Sequence, residues 1–137
     1  MLETEYREDT KQHLLKCLNE DLQFSKIQKQ FSRNFTAIKE VLQRHFQDLN
    51  AVFIYYSGQS HAYPAIAIED FISFCEECGI LSHQVINEKT LQRCFQETTV
   101  STHSYKKIGE KSLFRYEFLE ILVHISAYLH GKQPPRQ

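Results

Sequence analysis

Apolar positions along the chain recur mostly at helical steps, and the segments they mark come as helix, loop and helix twice over. Between residues 25 and 50, Ile27, Phe31, Phe35, Ile38, Leu42, Phe46 and Leu49 recur at steps of three and four, which predicts one long amphipathic helix. Ser25 or the turn before it would cap that helix. Val52-Phe53-Ile54-Tyr55-Tyr56 continues it until Ser57-Gly58 breaks it, and a polar loop over 57–65 contains Pro64. A second helix is predicted over 67–78, with Phe71, Phe74, Cys75 and Cys78 on one face and Gly79 closing it in the position after the C-cap. Leu81 to Ile86 is a linker, and Asn87 is placed to N-cap a helix over 88–97 carrying Leu91 and Phe95. Thr98 to Lys111 reads as a long polar loop. The last helix, over 113–129, turns Phe114, Phe118, Ile121, Leu122, Ile125 and Leu129 inward and ends at His130-Gly131-Lys132. Ahead of these, Leu14, Leu15, Leu18 and Leu22 make a thin stripe on a charged helix over 8–24, suited to packing late or onto a partner. The organisation expected is an N-terminal helix or arm over 1–24, a helical domain over 25–131 and a frayed tail over 132–137.

Composition agrees with an all-α domain. The 137 residues suffice for one core, and four glycines and three prolines leave little punctuation for many short strands. A formal net charge of −1 argues against a dedicated nucleic-acid binder, which would be clearly basic. No apolar run approaches the ~20 residues of a membrane span. The first residues show neither a basic nor an apolar leader region, so a cytoplasmic location is expected, with Cys17, Cys75, Cys78 and Cys94 as reduced thiols.

A phrase occurs twice. Ile66-Ala67-Ile68-Glu69-Asp70-Phe71 is echoed by Leu113-Phe114-Arg115-Tyr116-Glu117-Phe118: an aliphatic, three spacers, an acid, a Phe, then a helical apolar run. This resembles the second half of an EF-hand, with its buried loop aliphatic, terminal loop acid and core Phe opening the exit helix. The resemblance implies an all-α, EF-hand-like pair of helix–loop–helix units with an extra N-terminal helix. Ile66 and Leu113 would then face each other in a short antiparallel bridge, with Phe71 and Phe118 as paired core positions.

The usual ligand does not fit these loops. Calcium takes about 6–8 oxygens from alternating loop positions, with Gly at the sharp turn. Counting back from Asp70 as the last position puts Gln59, His61, Tyr63, Pro64 and Ala67 where ligands and the turn belong. Pro64 cannot take the positive φ that glycine offers there. Counting back from Glu117 gives Lys106, Ile108, Glu110, Lys111 and Phe114, and two lysines repel a dication. Asp70 and Glu117 then serve the dipoles of the helices they open. No metal site and no cofactor are expected.

From about 49 to 130 the chain is similar to the degenerate EF-hand-like pairs of ciliary and flagellar proteins. The pieces that carry this are Phe53-Ile54-Tyr55-Tyr56-Ser57, the approach of Pro64 and Ile66 to Glu69-Asp70-Phe71, and Arg115-Tyr116-Glu117-Phe118-Leu119-Glu120-Ile121-Leu122-Val123. The resemblance implies a non-catalytic scaffold of a cytoskeletal or axonemal assembly. The first 48 residues lie outside it.

Other constellations carry less. Cys75-Glu76-Glu77-Cys78 is a lone C-x-x-C ending a helix; core thiols explain it better than zinc, which would need Cys94, His83 or His103 as well, or than a redox motif. His45 falls within the apolar stripe and reads as an interfacial core residue, while His61, His83 and His103 fall in loops. No nucleophile or phosphate motif occurs, so no enzyme is expected. Lys26, Lys29, Arg33 and Arg44 share the polar face of the 25–50 helix, with Glu40 among them. They form either an ordinary solvated face or a partner-binding patch for an acidic surface. The function expected is a calcium-independent protein-interaction module taking an amphipathic helix or an acidic cytoskeletal surface. The alternatives are a calcium sensor with nonstandard loops, or a nucleic-acid-associated helical accessory domain using the four cations.

Overall fold

A computed structural model describes residues 2–82, 86–99 and 112–130, without the side chains of 2–9 and 82. Six helices and one two-stranded sheet make it mostly helical. The order is α1 (Leu2–Phe24), α2 (Ile27–Gln30), α3 (Phe35–Gln59), β1 (Ile66–Ala67), α4 (Ile68–Glu77), α5 (Glu88–Thr99), β2 (Ser112–Leu113) and α6 (Arg115–Leu129).

The single helix expected over 25–50 is broken. Phe31 leaves the helical region at φ −123° and ψ 42°, and a 3₁₀ turn, Ser32–Asn34, joins α2 to α3. Ser32 and Asn34 are weak helix formers, and the bend lets Phe31 bury its ring edge-on to His124, centroids 5.2 Å apart. Steps of four between Ile27, Phe31 and Phe35 look the same in a straight helix and in a bent one. The Ser25 hydroxyl spans the preceding joint: it donates to the Leu22 carbonyl at 3.0 Å and accepts from Ile27 N–H at 3.3 Å.

Other boundaries moved too: α5 runs to Thr99, into the expected loop, and α6 begins at Arg115, with Leu113 in β2 instead of in the helix. α1 begins at Leu2 instead of residue 8, and Leu15 is exposed while Leu18 and Leu22 are buried. α3 runs through Ser57-Gly58 to Gln59; a Cβ at Gly58 would meet nothing within 4 Å, so this glycine faces open space on an ordinary helix. Elsewhere the local signals act as expected. Gly79 takes φ 81°, the left-handed position that follows a helix C-terminus. Asn87 Oδ1 accepts from Thr90 N–H at 2.8 Å, capping α5.

β1 and β2 pair antiparallel, Ile66 with Leu113 and Ala67 with Ser112. Behind them lies an aromatic core. Phe118 sits 5.8 Å from Phe53, 6.4 Å from Phe71 and 5.6 Å from Phe74, ring centroid to ring centroid. Tyr56, Ile66, Phe71, Cys75, Ile86, Leu91, Cys94, Phe95, Leu113, Ile121 and Ile125 are buried in the same cluster. A second cluster joins Leu18, Leu22, Ile27 and Phe31 to Leu42, Phe46, Leu119 and Ala127. α6 therefore buries two sides, which is why Tyr116, Leu119 and Ala127 are covered beyond the one face expected.

Loop 60–65 is closed from within. The buried Ser60 hydroxyl accepts from Ala62 N–H at 3.1 Å and Ala67 N–H at 3.0 Å. Glu117 Oε1 accepts from Phe114 N–H at 3.0 Å, so this acid serves the start of α6. The loop positions Lys106, Ile108, Glu110 and Lys111, together with His83, His103 and the 132–137 tail, lie outside the described residues.

Candidate functional site

α3 and α6 run antiparallel, since Phe53 meets Phe118 at one end while Leu42 and Ala127 share a cluster towards the other. Along the N-terminal half of α3 and the C-terminal half of α6 they leave a groove of about 1020 Å³. Ile38, Val41, Leu42 and Leu49 line it from α3, and Leu122, Val123 and Ala127 from α6. Phe31 contributes from the break after α2. Val41 is 50% exposed there. The groove is at the upper end of ordinary ligand sites, roughly 300–1,000 Å³, and its length along two helices suits a helix better than a small molecule. Its polar edge holds Arg33, His45 and His130.

His45 is thus exposed on the groove edge, not in a core interface as expected. The four cations do not form one face, because the break at Phe31 divides them. Lys26 is half-buried and engaged: its Nζ lies 3.6 Å from Glu120 Oε2 and donates to the Glu97 carbonyl at 3.3 Å. Lys29, Arg33 and Arg44 are exposed, on α2, on the 3₁₀ turn and on α3. Of the four, Arg33 lines the groove.

Cys78 is also a correction. It is exposed because it occupies the C-cap of α4 at φ −93° and ψ 5°, where the core-facing stripe has ended. Cys75 and Cys94 are buried, and burial pushes their thiols up to about 12 and about 11. A thiol reagent at neutral pH is expected to label Cys78 in the native protein and to reach Cys75 and Cys94 only on unfolding. Labelling of all four thiols at one rate would contradict this packing.

Sequence reasoning missed two polar clasps that hold α1 and α2 to the body. In the first, Arg115 Nε donates to Asp21 Oδ2 at 2.6 Å and Nη1 to Asn50 Oδ1 at 3.1 Å, with the guanidinium 5.4 Å over the Phe46 ring. In the second, buried Glu120 accepts from Lys26 N–H at 2.8 Å through Oε1, while Oε2 has no hydrogen-bond partner. A 40 Å³ cavity beside it, lined also by Gln30, Cys94, Thr98 and His124, has room for one water. The signal lay in the spacing: Glu117, Glu120 and His124 fall at helical steps within an apolar run. Among the described residues no three His, Cys, Asp or Glu side chains converge on a metal-holding geometry, and no helix is long and apolar enough to cross a membrane.

His124 shares a 2.7 Å hydrogen bond with Gln30 Oε1, and burial, with Lys26 nearby, pulls its imidazole down to about 4. The unfolded chain takes up this proton near pH 6.5 and the folded chain does not. The stabilisation is therefore present above pH 6.5 and is lost as pH falls towards 4. Urea melts should show about 1–2 kcal/mol lost between pH 7 and 5 through this group. His124→Gln should flatten that slope, and an unchanged slope would refute the assignment.

Compared with known proteins, the chain matches no family model, no curated protein and no solved structure.

Proposed function

We propose that the protein is a non-catalytic interaction module, an EF-hand-like pair that binds an amphipathic helix of a protein partner without calcium. The observation that carries the reading is the open apolar groove between α3 and α6. An exposed apolar surface of this kind marks an interaction site more often than chance exposure does. The EF-hand-like part is supported by the Ile66–Leu113 pairing and by the two Phe residues, Phe71 and Phe118, packed behind it. Calcium independence is supported by the Ser60 hydroxyl, which already ties the first loop where an ion would otherwise organise it.

The α1–α2 arm fills part of the space between α3 and α6 through Leu18, Leu22, Ile27 and Phe31. With that arm in place and no ion to move the helices, the remaining groove is open constitutively. A cytoskeletal or axonemal assembly, the setting the resemblance implies, would use such a module as a fixed joint.

Calorimetric titration with calcium is expected to show no saturable micromolar binding and no shift in melting temperature. A micromolar Kd, or calcium-dependent exposure of a dye-binding surface, would return the sensor reading. Val41→Asp places a charge on the half-exposed wall. It should leave the melting curve within about 0.5 kcal/mol of wild type while abolishing partner capture.

A further inference from the structure

We infer that the groove selects a helix of a separate protein whose apolar stripe is flanked by carboxylates. This rests on the interaction-module reading and specifies the partner. The apolar walls ask for an apolar stripe; the charge of the edge decides what stands beside it. Among the described residues, the ionisable side chains lining the groove are Arg33, His45 and His130, and no carboxylate lines it. Glu40 and Asp48, the acids on this stretch of α3, line none of it but are exposed next in sequence to the lining residues Val41 and Leu49. Lys29 and Arg44 are exposed next in sequence to the lining residues Gln30 and His45. With Arg33 on the lining, and Lys29, Lys39 and Arg44 beside it against Glu40 and Asp48, a partner helix seated against Val41 and Leu122 meets a net positive edge, and complementary carboxylates would fix its register and exclude basic helices.

Other occupants fit less well. Residues 100–111 and 131–137 of this chain carry Lys106, Lys107, Lys111, Lys132 and Arg136 against the single acid Glu110, so either would bring cations to a cationic edge. A second copy docking groove to groove would use the same patch on both subunits, so each would bring the cationic edge carrying Arg33 to the interface and no lining carboxylate to meet it. The α3 wall from Ala37 to Leu49 is about 18 Å long at ~1.5 Å per residue, enough for about three turns of a partner helix.

The test is selection from a displayed library of helix-forming peptides against the full chain. Leucines are fixed at core spacing, and flanking positions are randomised among Glu, Gln and Lys. Selected peptides are then measured by fluorescence anisotropy on wild type, Val41→Asp and Arg33→Glu, with circular dichroism confirming that each variant is folded. Glu-flanked peptides should dominate. Val41→Asp should weaken them about tenfold or more, and Arg33→Glu about fivefold, with the Arg33→Glu loss shrinking at high salt. Selection of Gln- or Lys-flanked peptides that still depend on Val41 overturns the acidic-partner inference and leaves the interaction module standing. Absence of binders, or binders indifferent to Val41→Asp, overturns both. Light scattering that shows a dimer dispersed by Val41→Asp assigns the groove to a second copy and overturns the inference.

Discussion

Phe118→Ala is expected to cost about 3–5 kcal/mol, a large share of the roughly 5–15 kcal/mol that holds a domain of this size. Phe118 is fully buried and touches three other rings, Phe53 on α3 and Phe71 and Phe74 on α4. Truncation removes the transfer free energy of the ring and leaves a cavity at the meeting point of three helices. These helices cannot collapse into it together, because the Ile66–Leu113 pairing fixes the starts of α4 and α6 relative to each other. Urea or thermal melts of the purified variant should show the midpoint falling by about 10–20 °C, or no cooperative transition at all. Phe118→Leu keeps most of the volume and should cost only about 1–2 kcal/mol. Ile54→Ala, at a site 61% exposed, should cost within about 0.5 kcal/mol. If Phe118→Ala costs less than about 1 kcal/mol, the aromatic cluster is not the core of this fold.

That core was legible because its signals are local. Ile66 and Leu113 stand at the same place in two similar phrases, and each phrase carries its Phe five residues on, so pairing the phrases pairs the residues. Gly79 and Asn87 act within one turn of their own positions. What escaped depends on partners distant in sequence. The bend at Phe31 follows from the space beside His124, more than 90 residues away, which no periodicity records. His45 lies on the apolar side of α3, yet it lines a groove walled by both α3 and α6, and that groove is a property of two helices and not of either one. Glu120 and Asp21 look like ordinary solvated acids until Lys26 and Arg115 are brought across to them. The Ser60 hydroxyl gave no sign in the sequence that it ties its loop together, since a serine in a polar loop is unremarkable.

Arg115→Ala is expected to cost about 2–4 kcal/mol, more than its charge count suggests. Asp21 is buried, and Arg115 holds it through contacts at 2.6 Å and 3.4 Å. Burial pushes the Asp21 carboxyl above its usual range, more strongly than the Arg115 hydrogen bond and charge pull it down. The ionised Asp21 carboxyl therefore costs the fold some stability at neutral pH even with its partner in place, and most of the added penalty in the variant is the cost of leaving a buried carboxylate alone. That account gives the penalty a pH signature. In the variant the folded Asp21 carboxyl lies further above its unfolded value. The protonated form is stable in the fold below the ordinary carboxylate range, and stability is lost as pH rises through the folded value. The difference between wild type and Arg115→Ala, read from urea melts, should thus shrink as pH falls from 7 to 4. Asp21→Asn should cost about 1 kcal/mol, because the amide oxygen can still accept from Arg115 and the guanidinium, its side chain 29% exposed, keeps contact with water. Combined with Arg115→Met, it should recover most of the loss, with a coupling of about 1–3 kcal/mol between the two positions. A penalty for Arg115→Ala that stays constant across this pH range would mean the arginine acts through its packing on Phe46, 5.4 Å beneath the guanidinium, and not through Asp21. The Asp21 charge would then contribute nothing to holding the α1 arm against α3 and α6.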